Sequence, residues 1–195
     1  MDKQPLLDFI RKSIPDFRLT REGLDTIAEN FDAVEYPKDD FLFREGKLSG
    51  YFYLEEGLMR SYTFDAEGNE ITTYFYPGGR VLFDPSSFFL QKISTESFQA
   101  VTECRGYLTN LERLNFLFHS IPEFREFARA MVIREFIAYR QHGLAMINKT
   151  AEERYSALVS EGKEILQHAR LKDIATFLGM TDTSLSRIRR EYAKK

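Results

Sequence analysis

A run of hydroxyl-bearing and basic side chains lies near the end of the chain. It belongs to the segment LKDIATFLGMTDTSLSRIRR, residues 171–190. Arginine can donate two hydrogen bonds to a guanine, and Ser and Thr can contact base edges or thymine methyl groups. The candidate DNA-contacting residues are Thr181, Asp182, Thr183, Ser184, Ser186, Arg187, Arg189 and Arg190.

Small and apolar residues around this run have the spacing of a helix-turn-helix. Ala175 stands where two helices would cross closely, and Gly179 stands where the turn requires a positive φ. Thr181 can cap the second helix with its side-chain oxygen. The apolar residues that would join the two helices are Ile174, Leu178, Leu185 and Ile188. The segment therefore predicts a recognition helix whose first turns enter a major groove.

The basic residues of this helix have different expected partners. Arg187 is placed to contact guanine, whereas Arg189, Arg190 and Lys194 are placed to contact phosphates, which adds affinity but little sequence information. An alternative is a helical hairpin with a solvated basic face that is used for protein contact.

Charge is distributed unevenly along the chain. From Lys163 onward there are eight Lys and Arg against four Asp and Glu, whereas the rest of the chain has 19 basic against 26 acidic residues. A basic end on an acidic body is typical of a nucleic-acid-binding module attached to a regulatory domain.

The preceding chain divides into helical and strand-like stretches. Residues 5–13 and 20–30 have helical spacing, with Thr20 as a candidate N-cap. Between 31 and 111, short apolar runs predict six to eight antiparallel strands, with a hairpin loop at 65–69. Residues 123–148 predict a long helix that is apolar on more than one face, which favours a homodimer. A capping box at Thr150–Glu153 predicts the start of another helix.

Several site types and functions are not expected. One cysteine, Cys104, is too few for an iron–sulfur cluster or a cysteine zinc site, and His119, His142 and His168 fall outside the strand region where a haem ligand would be needed. No catalytic constellation or metal-spaced cluster is present, so we expect no enzyme, metal or cofactor. The N-terminus is not typical of a signal peptide or membrane span, so a cytoplasmic protein without membrane contact is expected.

The whole chain resembles the superfamily of the cyclic-AMP receptor protein and the fumarate–nitrate regulators (Crp/Fnr), and a branch found widely in the Bacteroidetes. The resemblance rests on Leu42–Gly46, Tyr51–Arg60, the long helix and the helix-turn-helix. It implies an α+β fold: a cyclic-nucleotide-binding-like double-stranded β-helix (β-roll) over 1–122, a dimerisation helix over 123–148 and a DNA-binding domain over 149–195. It also implies a homodimer on a palindromic operator, a small-molecule effector, and RNA polymerase as a candidate partner.

The effector pocket departs from the nucleotide-binding pattern. Phe83-Asp84 replaces a Gly-Glu pair, and Ser94-Thr95-Glu96 replaces an Arg-Ser/Thr-Ala triplet. A buried phosphate needs a paired cation or several donors, so neither cyclic AMP nor cyclic GMP is expected. The candidate pocket residues are Phe83, Asp84, Ser86, Ser87, Ser94 and Thr95. Alternatively, the pocket is filled by Phe83, Phe88 and Phe89 as ordinary core.

The recognition helix departs from the cyclic-AMP receptor protein as well. Asp182-Thr183 stands where that protein has an Arg-Glu pair, although Arg187 is kept, so a different operator is expected. A competing hypothesis is a metabolite-sensing module that signals through protein contacts.

Overall fold

A computed structural model describes residues 2–47 and 50–192. The strands lie between residues 32 and 109, and the chain from residue 111 onward is helical, so the predicted α+β class is confirmed. The helices are α1 (Gln4–Ser13), α2 (Arg21–Glu29), α3 (Pro85–Leu90), α4 (Leu111–Ser120), α5 (Pro122–Asn148), α6 (Ala151–Glu161), α7 (Lys163–His168), α8 (Leu171–Phe177) and α9 (Asp182–Tyr192). The strands are β1 (Asp32–Tyr36), β2 (Phe41–Phe43), β3 (Tyr51–Glu56), β4 (Leu58–Phe64), β5 (Glu70–Pro77), β6 (Arg80–Leu82), β7 (Ser97–Ala100) and β8 (Cys104–Thr109).

The strands form two antiparallel sheets that pack together as a β-roll. One sheet has the order β1-β8-β3-β6, and the other has the order β2-β7-β4-β5. Consecutive strands therefore alternate between the sheets over much of the roll. Side chains from both sheets share a buried core, including Phe52, Leu54, Met59, Tyr76 and Phe98.

Two turns connect β3, β4 and β5. Gly57, with φ +97°, joins β3 to β4, and a Cβ there would lie 2.3 Å from the carbonyl oxygen of Glu103, so the close approach requires glycine. The predicted loop between β4 and β5 is confirmed. The Asp65 carboxylate accepts hydrogen bonds from the backbone N–H groups of Glu67 at 2.9 Å and Asn69 at 2.8 Å, which closes the loop.

The predicted N-caps begin helices as expected. The Thr20 hydroxyl accepts a hydrogen bond from the Gly23 N–H at the start of α2. Thr150 and Glu153 form the reciprocal capping box at the start of α6. Because α5 ends at Asn148 and α6 starts with this cap, the break between the two helices is fixed by local chemistry.

Helix α5 has two apolar faces, as its composition predicted. One face packs on the β-roll and on α1 and α4 through residues such as Phe124, Phe127 and Met131. The rest of the helix is exposed and carries several large apolar residues, of which four form what we call the α5 stripe: Ile133, Ile137, Leu144 and Ile147. Spacings of four, seven and three residues place them on one side of the helix.

The last four helices pack around a second apolar core, separate from the interior of the β-roll. This core includes Tyr155, Ile174, Leu185 and Ile188. Leu58 of β4 and Phe75 of β5 belong to the same apolar cluster. The helices at the C-terminal end therefore dock directly on the β-roll as well as following α5 in the chain.

Candidate DNA-binding and effector sites

The segment 171–190 forms the predicted helix-turn-helix from α8 and α9. Ala175 is fully buried where the helices meet, and Gly179 has the positive φ, +63°, that the turn needs. The Thr181 hydroxyl accepts a hydrogen bond from the Ser184 N–H at 3.3 Å, which confirms the cap. The four predicted joining residues, Ile174, Leu178, Leu185 and Ile188, are all buried.

The candidate DNA contacts lie on the outer face of α9 and its cap. Seven of the eight side chains are exposed, and Ser184 is the half-buried exception. Its hydroxyl lies 3.0 Å from that of Thr181, so Ser184 is part of the cap as well as a candidate contact. The exposed face can present hydroxyl groups near the helix start and three guanidinium groups farther along it. Lys194 lies outside the described residues.

A buried charge network joins the β-roll to the helix-turn-helix. Arg60 of β4 has a side chain only 2% exposed, and it donates a hydrogen bond to the Asp173 carboxylate of α8 at 2.9 Å. It also donates to the Glu70 carboxylate of β5 at 2.5 Å. Arg170 completes what we call the Arg60 network, because it pairs with Asp173 at 2.8 Å and with Glu70 at 3.3 Å.

The charges of this network balance. Burial alone would raise the pKa of the Glu70 carboxyl, but the hydrogen bond and charge of Arg60 lower it, so the carboxyl is ionised at neutral pH. Two guanidinium groups then face two carboxylates. The Thr72 N–H of β5 also donates a hydrogen bond to the Thr176 hydroxyl of α8 at 3.1 Å, which adds to the contact between α8 and the β-roll. The orientation of α8 is therefore tied to the β4–β5 hairpin.

The predicted effector residues near α3 are engaged in local structure. The Asp84 carboxylate caps α3 by accepting hydrogen bonds from the backbone N–H groups of Ser86 at 2.9 Å and Ser87 at 3.3 Å. Ser94 is buried and bonds to the backbone of Glu96 in its own loop. Thr95 is exposed, and its carbonyl accepts a bond from Thr63.

Carboxylates and aromatic rings occupy the region that corresponds to the cyclic-phosphate site of the nucleotide-binding members. Burial, with the charge of Asp84 as a further cause, raises the pKa of Glu96, so the two carboxyl groups are close enough to repel as anions. Phe83 and Phe88 are buried with ring centroids 6.0 Å apart, whereas Phe89 is about half exposed. This arrangement disfavours an anionic ligand.

An apolar cavity lies between the β-roll, α3 and α5. Its volume is about 260 Å³, and we call it the α3–α5 cavity. Phe83 is the one member of the six predicted effector residues that lines it. The lining residues are Tyr76, Val81, Phe83, Pro85, Phe89, Val132, Glu135, Phe136 and Tyr139. The candidate pocket is therefore displaced toward α5 from the position that the sequence indicated.

Sequence reasoning missed both the Arg60 network and most of this cavity. Arg60 and Asp173 are 113 residues apart, and no local pattern links them. The cap on α3 had a signal that could have been used, because Asp84 followed by Pro85 is a common start of a helix.

The described residues contain neither a candidate membrane-spanning helix nor a candidate metal cluster. No helix in residues 2–47 and 50–192 is long and apolar enough to cross a membrane. Within the same residues, no group of three or more His, Cys, Asp or Glu side chains is arranged to hold a metal ion.

Comparison with known proteins agrees with this architecture. Residues 33–120 match the cyclic nucleotide-binding domain. The chain is 24% identical to electron transport regulator A of Shewanella oneidensis over 186 residues, which cover 89% of this chain and 72% of that protein.

Two solved structures share the fold. FixK2 of Bradyrhizobium japonicum has a TM-score of 0.71 at 22% identity and covers 84% of this chain and 85% of its own. TTHA1359 of Thermus thermophilus, a transcriptional regulator of the CRP/FNR family, has a TM-score of 0.67 at 16% identity, with 84% and 86% covered. Together with the β-roll, the long helix and the helix-turn-helix, these similarities support the assignment of the chain to the Crp/Fnr family of transcription regulators.

Proposed function

We propose that the chain is a homodimeric, sequence-specific regulator whose two α9 helices contact the two halves of a palindromic operator. The observation that carries this proposal is the surface of α9. Leu185 and Ile188 are buried against α8, while the side chains of Thr183, Ser186 and Arg187 are exposed on the first turns. Such a capped helix with a polar, basic outer face fits a major groove.

The roles of the basic residues follow from their place on α9. Arg187, on the second turn, contacts guanine with its planar guanidinium. Arg189 and Arg190, in the last turn, contact phosphates and set the affinity for any duplex. Asp182 and Thr183, at the first turn, help to define which operator is bound.

Dimer formation is supported by the α5 stripe. Large apolar side chains in a row are seldom exposed on a soluble helix, and Ile147 is 83% exposed in the single chain. The same residues on a second copy would cover the stripe and pair the helices along a two-fold axis. The units of this dimer are the sensor domain 1–122, the dimerisation helix 123–148 and the DNA-binding domain 149–195.

The sensor domain does not bind cyclic AMP or cyclic GMP. Asp84 already caps the short helix α3, and Glu96 adds a second carboxyl group nearby. No arginine stands at the position that grips the cyclic phosphate in the nucleotide-binding members, since Ser94 occupies it. An anionic phosphate buried there would lack a paired cation.

Binding of the full chain to duplex DNA tests the proposal. Fluorescence anisotropy with the fragment upstream of its own gene and with other promoter-region duplexes should give binding that weakens as salt rises. Absence of binding to all of these duplexes would contradict the proposal. If the full chain is inert toward DNA while residues 1–148 bind a metabolite tightly, the alternative of a sensor that signals through protein contacts is correct.

A further inference from the structure

The walls of the α3–α5 cavity are almost entirely apolar. Phe83 and Val81 come from the end of the β-roll, Phe89 comes from α3, and Val132 and Phe136 come from α5. An engineered apolar cavity of about 150 Å³ binds benzene. The volume of about 260 Å³ here is larger, so it accommodates a compact molecule with one or two rings.

The polar groups at this cavity are already neutralised. Glu135 is almost fully buried and accepts a hydrogen bond from Arg80 at 2.6 Å, so the pair brings no net charge. The hydroxyl groups of Tyr76 and Tyr139 bond to each other. A ligand that carried a negative charge would lie against Glu135, whose partner Arg80 is already engaged, and this disfavours an anion.

One buried polar atom beside the cavity, the Tyr51 hydroxyl, has no hydrogen-bond partner among the described residues. The Tyr51 ring stacks on Phe83, which lines the cavity, with centroids 5.7 Å apart. Buried polar groups normally have partners, so this hydroxyl indicates that a molecule with a hydrogen-bonding group belongs beside it.

We infer that the α3–α5 cavity binds an uncharged, mostly apolar ring compound with a single hydrogen-bonding group. The inference rests on the proposed sensor role and names the chemical class of the effector. The ligand would contact α5 through Val132 and Phe136, which lie beside the α5 stripe on the exposed part of the helix. Occupancy would therefore act on the helix that the proposed dimer shares.

Indole is a suitable probe because the chain has no Trp, so indole emission is free of protein tryptophan background. Titration of the full chain should shift indole emission to shorter wavelength and saturate at one indole per chain. Indole-3-acetate, which adds a carboxylate, should bind at least about tenfold more weakly, because the cavity offers it no unpaired cation. The inference is overturned if indole does not saturate, or if indole-3-acetate binds as tightly.

Two variants distinguish this cavity from other apolar surface. Val132→Phe fills the cavity from α5 and should weaken indole binding at least about tenfold. Ile93→Phe adds the same ring at an exposed residue outside the cavity and should leave binding within about twofold. Equal indole binding by the two variants would show that indole does not bind in the α3–α5 cavity.

The dimer itself provides a competing occupant. If indole binds only to an Ile137→Glu variant that has lost its dimer, the second copy fills the cavity and the inference fails. DNA binding measured on the same preparations separates the two proposals. A protein that binds duplex DNA but not indole disproves the effector class and leaves the proposed function intact.

Discussion

At the scale of single residues, the arginines of α9 should divide between sequence recognition and general affinity. Arg187→Ala should weaken binding to the preferred operator by ~1–3 kcal/mol and have little effect on unrelated duplexes. Arg190→Ala should weaken binding to every duplex and reduce the slope of log affinity against log salt by about one. Anisotropy titrations of both variants on both duplexes measure this. Equal losses on operator and unrelated DNA for Arg187→Ala would contradict its role as a base contact.

The cap of α9 gives a second residue-scale prediction. Thr181→Ala removes the hydroxyl that accepts from the Ser184 N–H and should lower the free energy of unfolding by ~1 kcal/mol. Thr183 is a matched control, because it is exposed on the same turn and is two residues from the cap. Thr183→Ala should change the free energy of unfolding by no more than about 0.5 kcal/mol. Urea unfolding of the two variants decides the matter, and equal stability of the two would show that Thr181 does not stabilise the helix.

At the scale of elements, the sequence predicted the caps, loops and turns that depend on neighbouring residues. The capping box at Thr150, the loop at Asp65 and the turn at Gly179 all depend on residues within a few positions of each other. The two apolar faces of α5 were predicted from the positions of its apolar residues, which are also a local feature of the sequence. Contacts between distant elements left no such pattern. The Arg60 network joins β4, β5 and α8, and the α3–α5 cavity depends on how α5 lies across the roll.

The Arg60 network should contribute strongly to docking of α8 on the β4–β5 hairpin. Arg60→Met removes one of the two guanidinium groups that pair with the buried Asp173 carboxylate and leaves Arg170 as its partner, so it should cost ~1.5–3 kcal/mol of stability. Arg113→Met is the matched control, since Arg113 pairs with Asp32 at 2.6 Å on the surface and its loss should cost ~0–1 kcal/mol. Chemical unfolding compares the two. Similar small losses would show that the network does not hold the domains together.

At the scale of the whole molecule, the α5 stripe should be the surface that joins two chains. Ile137→Glu places a carboxylate in the middle of the stripe and should convert the dimer to a monomer, because a charge there would be buried without a partner. Ile93→Glu introduces the same charge at an exposed apolar residue that is not part of α5 and should leave the dimer intact. Sedimentation equilibrium measures both masses. A dimer that survives Ile137→Glu would place the interface elsewhere.

The central claim concerns the DNA-binding domain, and it is that two chains together bind two half-sites. Selection of bound duplexes from a random pool, followed by measurement of the mass of the selected complex, tests it most directly. The account predicts an inverted repeat with half-sites about 10 base pairs apart, centre to centre, and two chains on each duplex. Selection of a single, unrepeated site occupied by one chain, or no enrichment at all, would contradict it.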